Sequence, residues 1–90
     1  MSVFERTYYS MEECFGLGID KRTGKPFLEF PVENRLVGYA EYYAIDQRIY
    51  DGFPETIGEI KEILALSRAR LNDDNILQQP GRDRGWPRLP

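Results

Sequence analysis

The sequence contains no histidine and a single cysteine, Cys14. Histidine is the most frequent general base and metal ligand in proteins, so its absence excludes Ser-His and Cys-His catalytic pairs and histidine-based metal sites. One thiol cannot form an intramolecular disulfide or supply the several ligands of a zinc site. We therefore expect no metal and no cofactor, and we expect Cys14 to be a small buried hydrophobe rather than a reactive thiol.

Long hydrophobic runs and an export signal are also missing. No apolar stretch approaches the roughly 20 residues that a membrane-spanning helix needs, and the first ten residues lack the basic start and apolar run of a signal peptide. These absences predict a cytoplasmic protein. The glycines match neither a phosphate-binding loop nor a dinucleotide-binding fingerprint, since Gly16 and Gly18 lack the third glycine and the helix that the fingerprint requires.

Acidic residues are numerous, and they are unevenly distributed. Net charge is −3 over 90 residues: residues 1–75 hold nine Lys/Arg against fourteen Asp/Glu, whereas residues 76–90 hold three Arg against one Asp. Pairs of carboxylates arise by chance among so many, so they predict no enzyme, although a small carboxylate enzyme without an evident substrate stays an alternative. An acidic body suits a basic partner and argues against nucleic acid, whose affinity for proteins comes largely from cations.

The pattern of apolar residues predicts a small α+β fold. Residues 14–19 and 27–32 form an antiparallel hairpin and residues 37–45 a third strand, while the apolar spacing between residues 54 and 71 predicts the main helix. We expect an antiparallel sheet of about three strands packed against this C-terminal helix. Residues 1–77 then form one domain. The first ten residues are ambiguous between a strand and a loose lead-in.

The sequence of the second predicted strand, residues 27–32, indicates which of its side chains face the core and where it lies in the sheet. Side chains alternate between the two faces of a strand, so Leu28, Phe30 and Val32 should share the apolar face, and Glu29 should point outward. Prolines 26 and 31 cannot donate ladder hydrogen bonds. They place this strand at an edge of the sheet or interrupt its pairing near those positions.

Aromatic and acidic residues alternate along the third strand. Tyr39, Glu41, Tyr42 and Tyr43 either cover one face of the sheet or present tyrosines and a carboxylate to a partner, a mixture typical of binding hot spots opposite Arg or Lys. Because adjacent residues point to opposite faces, one of Tyr42 and Tyr43 should be exposed. The sites predicted for partner binding extend beyond the strand to two further acidic residues, Asp46 and Asp51.

Asp46 also stands where a helix cap belongs. Its carboxylate could accept hydrogen bonds from the amides of a short helix over residues 47–51, which Gly52 would end. The run that contains Asp46, Asp51 and Glu55 is otherwise a solvated acidic face.

Residues 78–90 change in composition to proline, glycine and arginine and predict an extended or flexible arm. Arg82, Arg84 and Trp86 could contact nucleic acid by charge and stacking, which makes a nucleic-acid accessory protein the alternative function. A structural arm anchored by Trp86, or plain disorder, is the other interpretation.

Residues 23–45, with Tyr39, Glu41, Tyr42 and Tyr43 following a predicted hairpin, resemble a stretch of small bacterial immunity-type proteins of toxin–immunity systems. These proteins are made beside secreted or contact-delivered toxins and neutralise them in the producing cell. The resemblance covers about a quarter of the chain. It implies a non-catalytic binding protein whose partner is a protein toxin, often a nuclease, with the active site of that toxin blocked by occlusion.

Overall fold

The computed structural model describes residues 2–35, 37–81 and 84–90, and the fold is α+β. Its mostly antiparallel sheet is larger than the predicted three strands, because the ambiguous N-terminal segment forms the first strand and part of the arm forms the last. The elements in chain order are β1 Phe4–Ser10, β2 Phe15–Asp20, β3 Lys25–Glu33, β4 Gly38–Ala44, α1 Gln47–Asp51, α2 Ile57–Arg68, a 3-10 helix Asp73–Asn75 and β5 Trp86–Pro87.

The first four strands form a meander in the order β1-β2-β3-β4, and all three pairings are antiparallel. The predicted hairpin between β2 and β3 is confirmed, and Gly24 supplies the positive φ of 74° in its turn. β5 pairs with β3 at Val32 and Glu33, beyond the point where β2 stops. A segment expected to be an arm is therefore part of the sheet.

β3 lies inside the sheet, so the expectation of an edge strand is wrong, and the alternative of interrupted pairing applies. β2 pairs with β3 only as far as Glu29, and the Pro31 carbonyl accepts from the Arg88 amide at 3.0 Å. Since the amide and carbonyl of a strand residue point to the same side, the missing amide of Pro31 faces β5. Pro26 lies past the end of β4 in the same way. Each proline therefore lies opposite the end of a neighbouring strand, where its missing amide costs no ladder hydrogen bond.

The main core lies between one face of the sheet and the helices. α2 contributes Ile60 and Leu64, which are almost fully buried, as their spacing predicts. The helix ends at Arg68 rather than Leu71, because Arg70 adopts a left-handed φ of 62°, and Leu71 is then 72% exposed. The remaining buried members of this core are Phe15, Leu17, Leu28, Phe30, Val32, Tyr43, Ile45 and Ile49.

A second, smaller layer covers the other face of the sheet. The Phe4 ring of β1 stacks on the Tyr42 ring of β4 at 3.9 Å, and Phe27 meets both rings edge-on. Neighbouring strands lie about 4.8 Å apart, so β1 and β4 would be far beyond ring contact in a flat sheet. The sheet therefore curls, and Gly18 on β2 leaves space for the Phe27 ring, since an added Cβ would lie 2.5 Å from Phe27 Cζ.

Glu29 belongs to this second layer, which corrects the expectation that it points into solvent. It faces away from the helices as predicted, but it is only 3% exposed because Arg6 covers it. Arg6 Nη2 donates to Glu29 Oε1 at 2.5 Å, and this bond raises the pKa of the guanidinium. The ion pair lets a charged residue of an internal strand be buried.

Candidate functional site

Two of the four β4 residues predicted to bind a partner lie inside the protein. Glu41 is 4% exposed and Tyr43 is 0% exposed, so the expectation that they belong to an exposed patch is wrong. Tyr39 and Tyr42 are half-buried. Tyr42 is thus the more accessible of the adjacent pair, although Phe4 covers one side of its ring.

The partner of Glu41 is an arginine of the same chain. Arg84 Nε donates to Glu41 Oε2 at 3.0 Å and Arg84 Nη2 donates to Oε1 at 3.1 Å. The same guanidinium donates to both carboxylate oxygens of Asp73, at 2.7 and 2.9 Å. Its side chain is only 16% exposed. We call this group, formed by Tyr39, Glu41, Tyr43, Asp73 and Arg84, the arginine clamp.

Both tyrosines of the arginine clamp help to hold Glu41. The Tyr43 hydroxyl donates to Glu41 Oε1 at 2.6 Å, and the Tyr39 hydroxyl donates to Oε2 at 3.2 Å. Tyr39 also accepts a hydrogen bond from the Gly85 amide at 3.1 Å. The alternating Tyr-x-Glu-x-Tyr pattern is therefore explained by an internal carboxylate that needs donors on the same face of β4.

The protonation states of the arginine clamp follow from these contacts. Burial raises the pKa of Glu41, but hydrogen bonds from Arg84 and Tyr43 and the Arg84 charge outweigh it, so the pKa lies below its usual range. The hydrogen bonds from Arg84 also lower the pKa of Asp73. Burial and the neighbouring carboxylate raise the pKa of Tyr43. At neutral pH both carboxylates are charged and Tyr43 is neutral, so these groups are not tuned for acid–base catalysis near pH 7.

We expect Tyr43→Phe to lower the free energy of unfolding by about 1.5–3 kcal/mol, since it removes a short hydrogen bond to a buried charge. Urea unfolding followed by circular dichroism measures this loss. Tyr50→Phe is the matched control, because the Tyr50 hydroxyl bonds to Thr7 at the surface. An equal loss in the two variants would mean that the hydrogen bond to Glu41 contributes no more to stability than the one at the surface.

The arm is anchored by Arg84 and Gly85, which corrects the expectation of a Trp86 anchor. Trp86 is 72% exposed, and its ring lies 4.8 Å from the Arg70 guanidinium. Arg82 lies outside the described residues. Arg84 is bound within the arginine clamp and Arg88 pairs with Glu33, so both described arginines of the arm contact carboxylates of their own chain. This arrangement argues against phosphate as their partner.

Asp46 and Asp51, the other residues predicted to bind a partner, are exposed: Asp46 directly precedes α1 and Asp51 is its last residue. Asp46 is the N-cap residue, but its side chain makes no capping hydrogen bond, contrary to expectation. Asp51 Oδ1 accepts from Gln47 Nε2 at 3.0 Å. Both carboxylates are therefore at the surface, where a partner can reach them.

Asp51 lies at the rim of a groove between β1 and α1. The groove has a volume of about 450 Å³. The Tyr8 and Phe53 rings pack in it at 4.7 Å, and the Tyr50 hydroxyl lies 2.7 Å from Thr7 Oγ1. We call it the β1–α1 groove, and its lining residues are Thr7, Tyr8, Leu17, Tyr50, Asp51 and Phe53.

Sequence reasoning missed this groove because its walls come from distant segments. Tyr8 belongs to the N-terminal segment whose structure the pattern leaves ambiguous, and Phe53 follows α1. The register of β1 against β2 sets Tyr8 opposite Leu17, which also lines the groove. The aromatic residues of β1 were the available signal, since their β-propensity favours a strand that must pack against something.

Cys14 is half-buried rather than buried, and it precedes β2 in a turn, with a left-handed φ of 55°. Arg68 Nη2 donates to the carbonyls of Glu13 and Cys14 at 2.8 and 3.1 Å. Burial lowers the pKa of this guanidinium. These contacts tie the end of α2 to the turn, and the Cys14 thiol itself faces the Met11 carbonyl oxygen at 3.6 Å.

Within residues 2–35, 37–81 and 84–90, no group of three Cys, Asp or Glu side chains is arranged to hold a metal ion. In the same part of the chain, no helix has the length and apolar character to span a membrane. The sequence matches no protein-family model, no curated protein and no solved structure.

Proposed function

We propose that this chain is a non-catalytic binding protein that neutralises a cognate toxin in the cytoplasm by covering its active site. The contact surface is the β1–α1 groove with Asp51 at its rim, extended by the exposed carboxylate of Asp46 just before α1. The observation that carries this proposal is an aromatic groove of about 450 Å³ with an exposed acid at its rim. The sequence resemblance of residues 23–45 supports a toxin as the class of partner.

The groove has the features of an interface hot spot. Tyrosine supplies a large contact area with a polar end, and the Tyr8 ring is fixed by Phe53 at 4.7 Å and by Phe15 at 5.9 Å. A ring held in place before binding loses little conformational freedom on binding. The groove is therefore suited to take an apolar or aromatic side chain of the partner.

The charge of the surface indicates the kind of site it covers. Asp46, Asp51 and Glu55 are all exposed along residues 46–55, on a chain of net charge −3. Such a surface accelerates encounter with a basic protein surface. A nuclease fits this description because its active site must attract phosphate.

In this proposal the β4 residues of the arginine clamp stabilise the fold and do not contact the toxin. The carboxylate of Glu41 and the hydroxyl of Tyr43 are used within the arginine clamp. Replacing either would destabilise the fold, so neither tests the binding surface. Substitutions of the exposed Asp46 and Asp51 test it.

We expect Asp51→Lys and Asp46→Lys each to weaken binding to the toxin candidate by about tenfold, mainly by slowing association. The probe is the protein encoded by the adjacent reading frame, in catalytically inactive form, with association followed by biolayer interferometry at low and high salt. Glu62→Lys is the control, because Glu62 is exposed on α2 and makes the same charge change. If the two proteins form no complex, or if the three variants bind like wild type, the proposal is wrong.

A further inference from the structure

We infer that the arginine clamp and the adjoining edge of β3 form a receptor for an extended Arg-Gly peptide segment, which the arm of this chain fills in cis. The same site accepts such a segment from a partner protein when the arm leaves. This surface is separate from the β1–α1 groove, and the inference does not depend on the proposed function.

The body of the protein supplies every acceptor for the guanidinium. Glu41 and Asp73 each present two carboxylate oxygens to Arg84, and the Tyr43 hydroxyl lies 3.1 Å from Arg84 Nη2. The two carboxylates meet the planar, forked donors of one arginine from two directions. Lysine has no such fork, so the site selects arginine.

The backbone contacts specify an extended chain with glycine after the arginine. Trp86 pairs with Glu33 and Pro87 with Val32, and main-chain pairing of this kind accepts any side chain that points outward. Gly85 is an exception. A Cβ atom added there would lie 2.1 Å from the Glu33 carbonyl oxygen, which no side chain tolerates. The recognised segment is therefore Arg-Gly followed by a short strand.

The arm itself contributes little apolar contact. Trp86 is 72% exposed and Leu89 is 64% exposed, and residues 78, 79 and 81 of the connection are exposed too. The arm is thus held by polar and main-chain contacts that another Arg-Gly segment reproduces. Its advantage over a free segment is its high effective concentration.

Simple opening of the arm is unfavourable, which makes exchange the accessible route. Opening removes Arg84 from both Glu41 and Asp73, which leaves two neighbouring carboxylates without the counterion that they share. A second guanidinium that enters as the first leaves removes this penalty. The partner that fits is a basic protein with an exposed, extended Arg-Gly segment. An aromatic residue after the glycine would reproduce the stacking of Trp86 on Arg70.

The test uses full-length chains and a fluorescein-labelled synthetic peptide with the sequence of residues 81–90. We expect the peptide to bind the Arg84→Ala protein at least about tenfold more tightly than wild type, because the arm of wild type competes for the site. A peptide carrying the Arg84→Ala change should not bind. Arg88→Ala protein is the control, since it loses an arm arginine whose partner Glu33 is at the surface, and it should bind like wild type.

In the Gly85→Ala protein the arm is displaced for a different reason, because the added Cβ clashes with the Glu33 carbonyl. This variant should also bind the unmodified peptide. Circular dichroism establishes that each variant is folded. The inference is overturned if neither variant binds, if both peptides bind equally, or if both variants unfold, because the arm is then a fixed part of the fold. Asp51→Lys added to Arg84→Ala should leave peptide binding unchanged, which separates this result from the test of the β1–α1 groove.

Discussion

Arg84→Ala is expected to lower the free energy of unfolding by about 3–5 kcal/mol at pH 7, the usual cost of removing one partner of a buried ion pair. The variant removes the counterion of Glu41, whose side chain is almost fully buried in wild type, and Asp73 loses its donor at the same time. Domains of this size are stable by only about 5–15 kcal/mol, so the loss is a large fraction of the total. Urea unfolding of both proteins measures it.

The same variant should change the pH dependence of stability. In wild type the pKa values of Glu41 and Asp73 are lowered, so their contribution is present above the ordinary carboxylate pKa and is lost as pH falls through the folded values. Without Arg84, burial dominates at Glu41 and raises its pKa. Acidification then protonates Glu41 and removes the unpaired charge that destabilises the variant. We therefore expect the difference between wild type and Arg84→Ala to shrink from pH 7 to about pH 3.5.

Arg88→Ala is the control for these measurements, because the ion pair of Arg88 with Glu33 lies at the surface. It should leave stability and its pH dependence unchanged. A constant difference between wild type and Arg84→Ala over the whole pH range would mean that Glu41 does not carry the effect.

Gly18→Ala is expected to lower the free energy of unfolding by about 3 kcal/mol, at the upper end for overpacked cores. The added Cβ would lie 2.1 Å from the Glu5 carbonyl oxygen and 2.5 Å from Phe27 Cζ. Relief requires β1 to move away from β2, which separates the Phe4 ring from the Tyr42 ring on which it stacks. Thermal and urea unfolding measure the loss.

The matched control is Gly58→Ala. Gly58 lies in α2 and a Cβ there meets nothing within 4 Å, so alanine should stabilise the helix by about 0.5–1 kcal/mol. The two substitutions make the same chemical change with opposite expected signs. If Gly18→Ala is as stable as wild type, the sheet does not curl as tightly as the Phe4–Tyr42 contact indicates.

Local signals in the sequence were sufficient for the elements whose partners are close along the chain. Residues 20–24 provide the hairpin turn, and the alternation in β3 correctly placed Leu28, Phe30 and Val32 on the apolar face. The spacing of Ile60 and Leu64 likewise identified the buried face of α2. In each case the periodicity of a single element determines which side chains are buried.

The parts that could not be predicted depend on contacts between distant segments. Glu41 and Arg84 are 43 residues apart, and nothing in the composition of the arm singles out Arg84 among its three arginines. An acidic residue between tyrosines suits an external guanidinium as well as an internal one, so the pattern predicted a partner molecule where the structure has Arg84. The β1–α1 groove was missed because strand register, not composition, places Tyr8 beside Phe53.

The placement of the Glu41 counterion also bears on how the chain is made. Translation produces the carboxylate 43 residues before the guanidinium that neutralises it. Until residue 84 has left the ribosome, the nascent chain must keep Glu41 in water, and β4 cannot settle fully against the helices. We expect the last stage of folding to wait for synthesis of the arm, and a chain shortened before residue 84 by proteolysis or an early stop codon to be recognised by quality-control proteases.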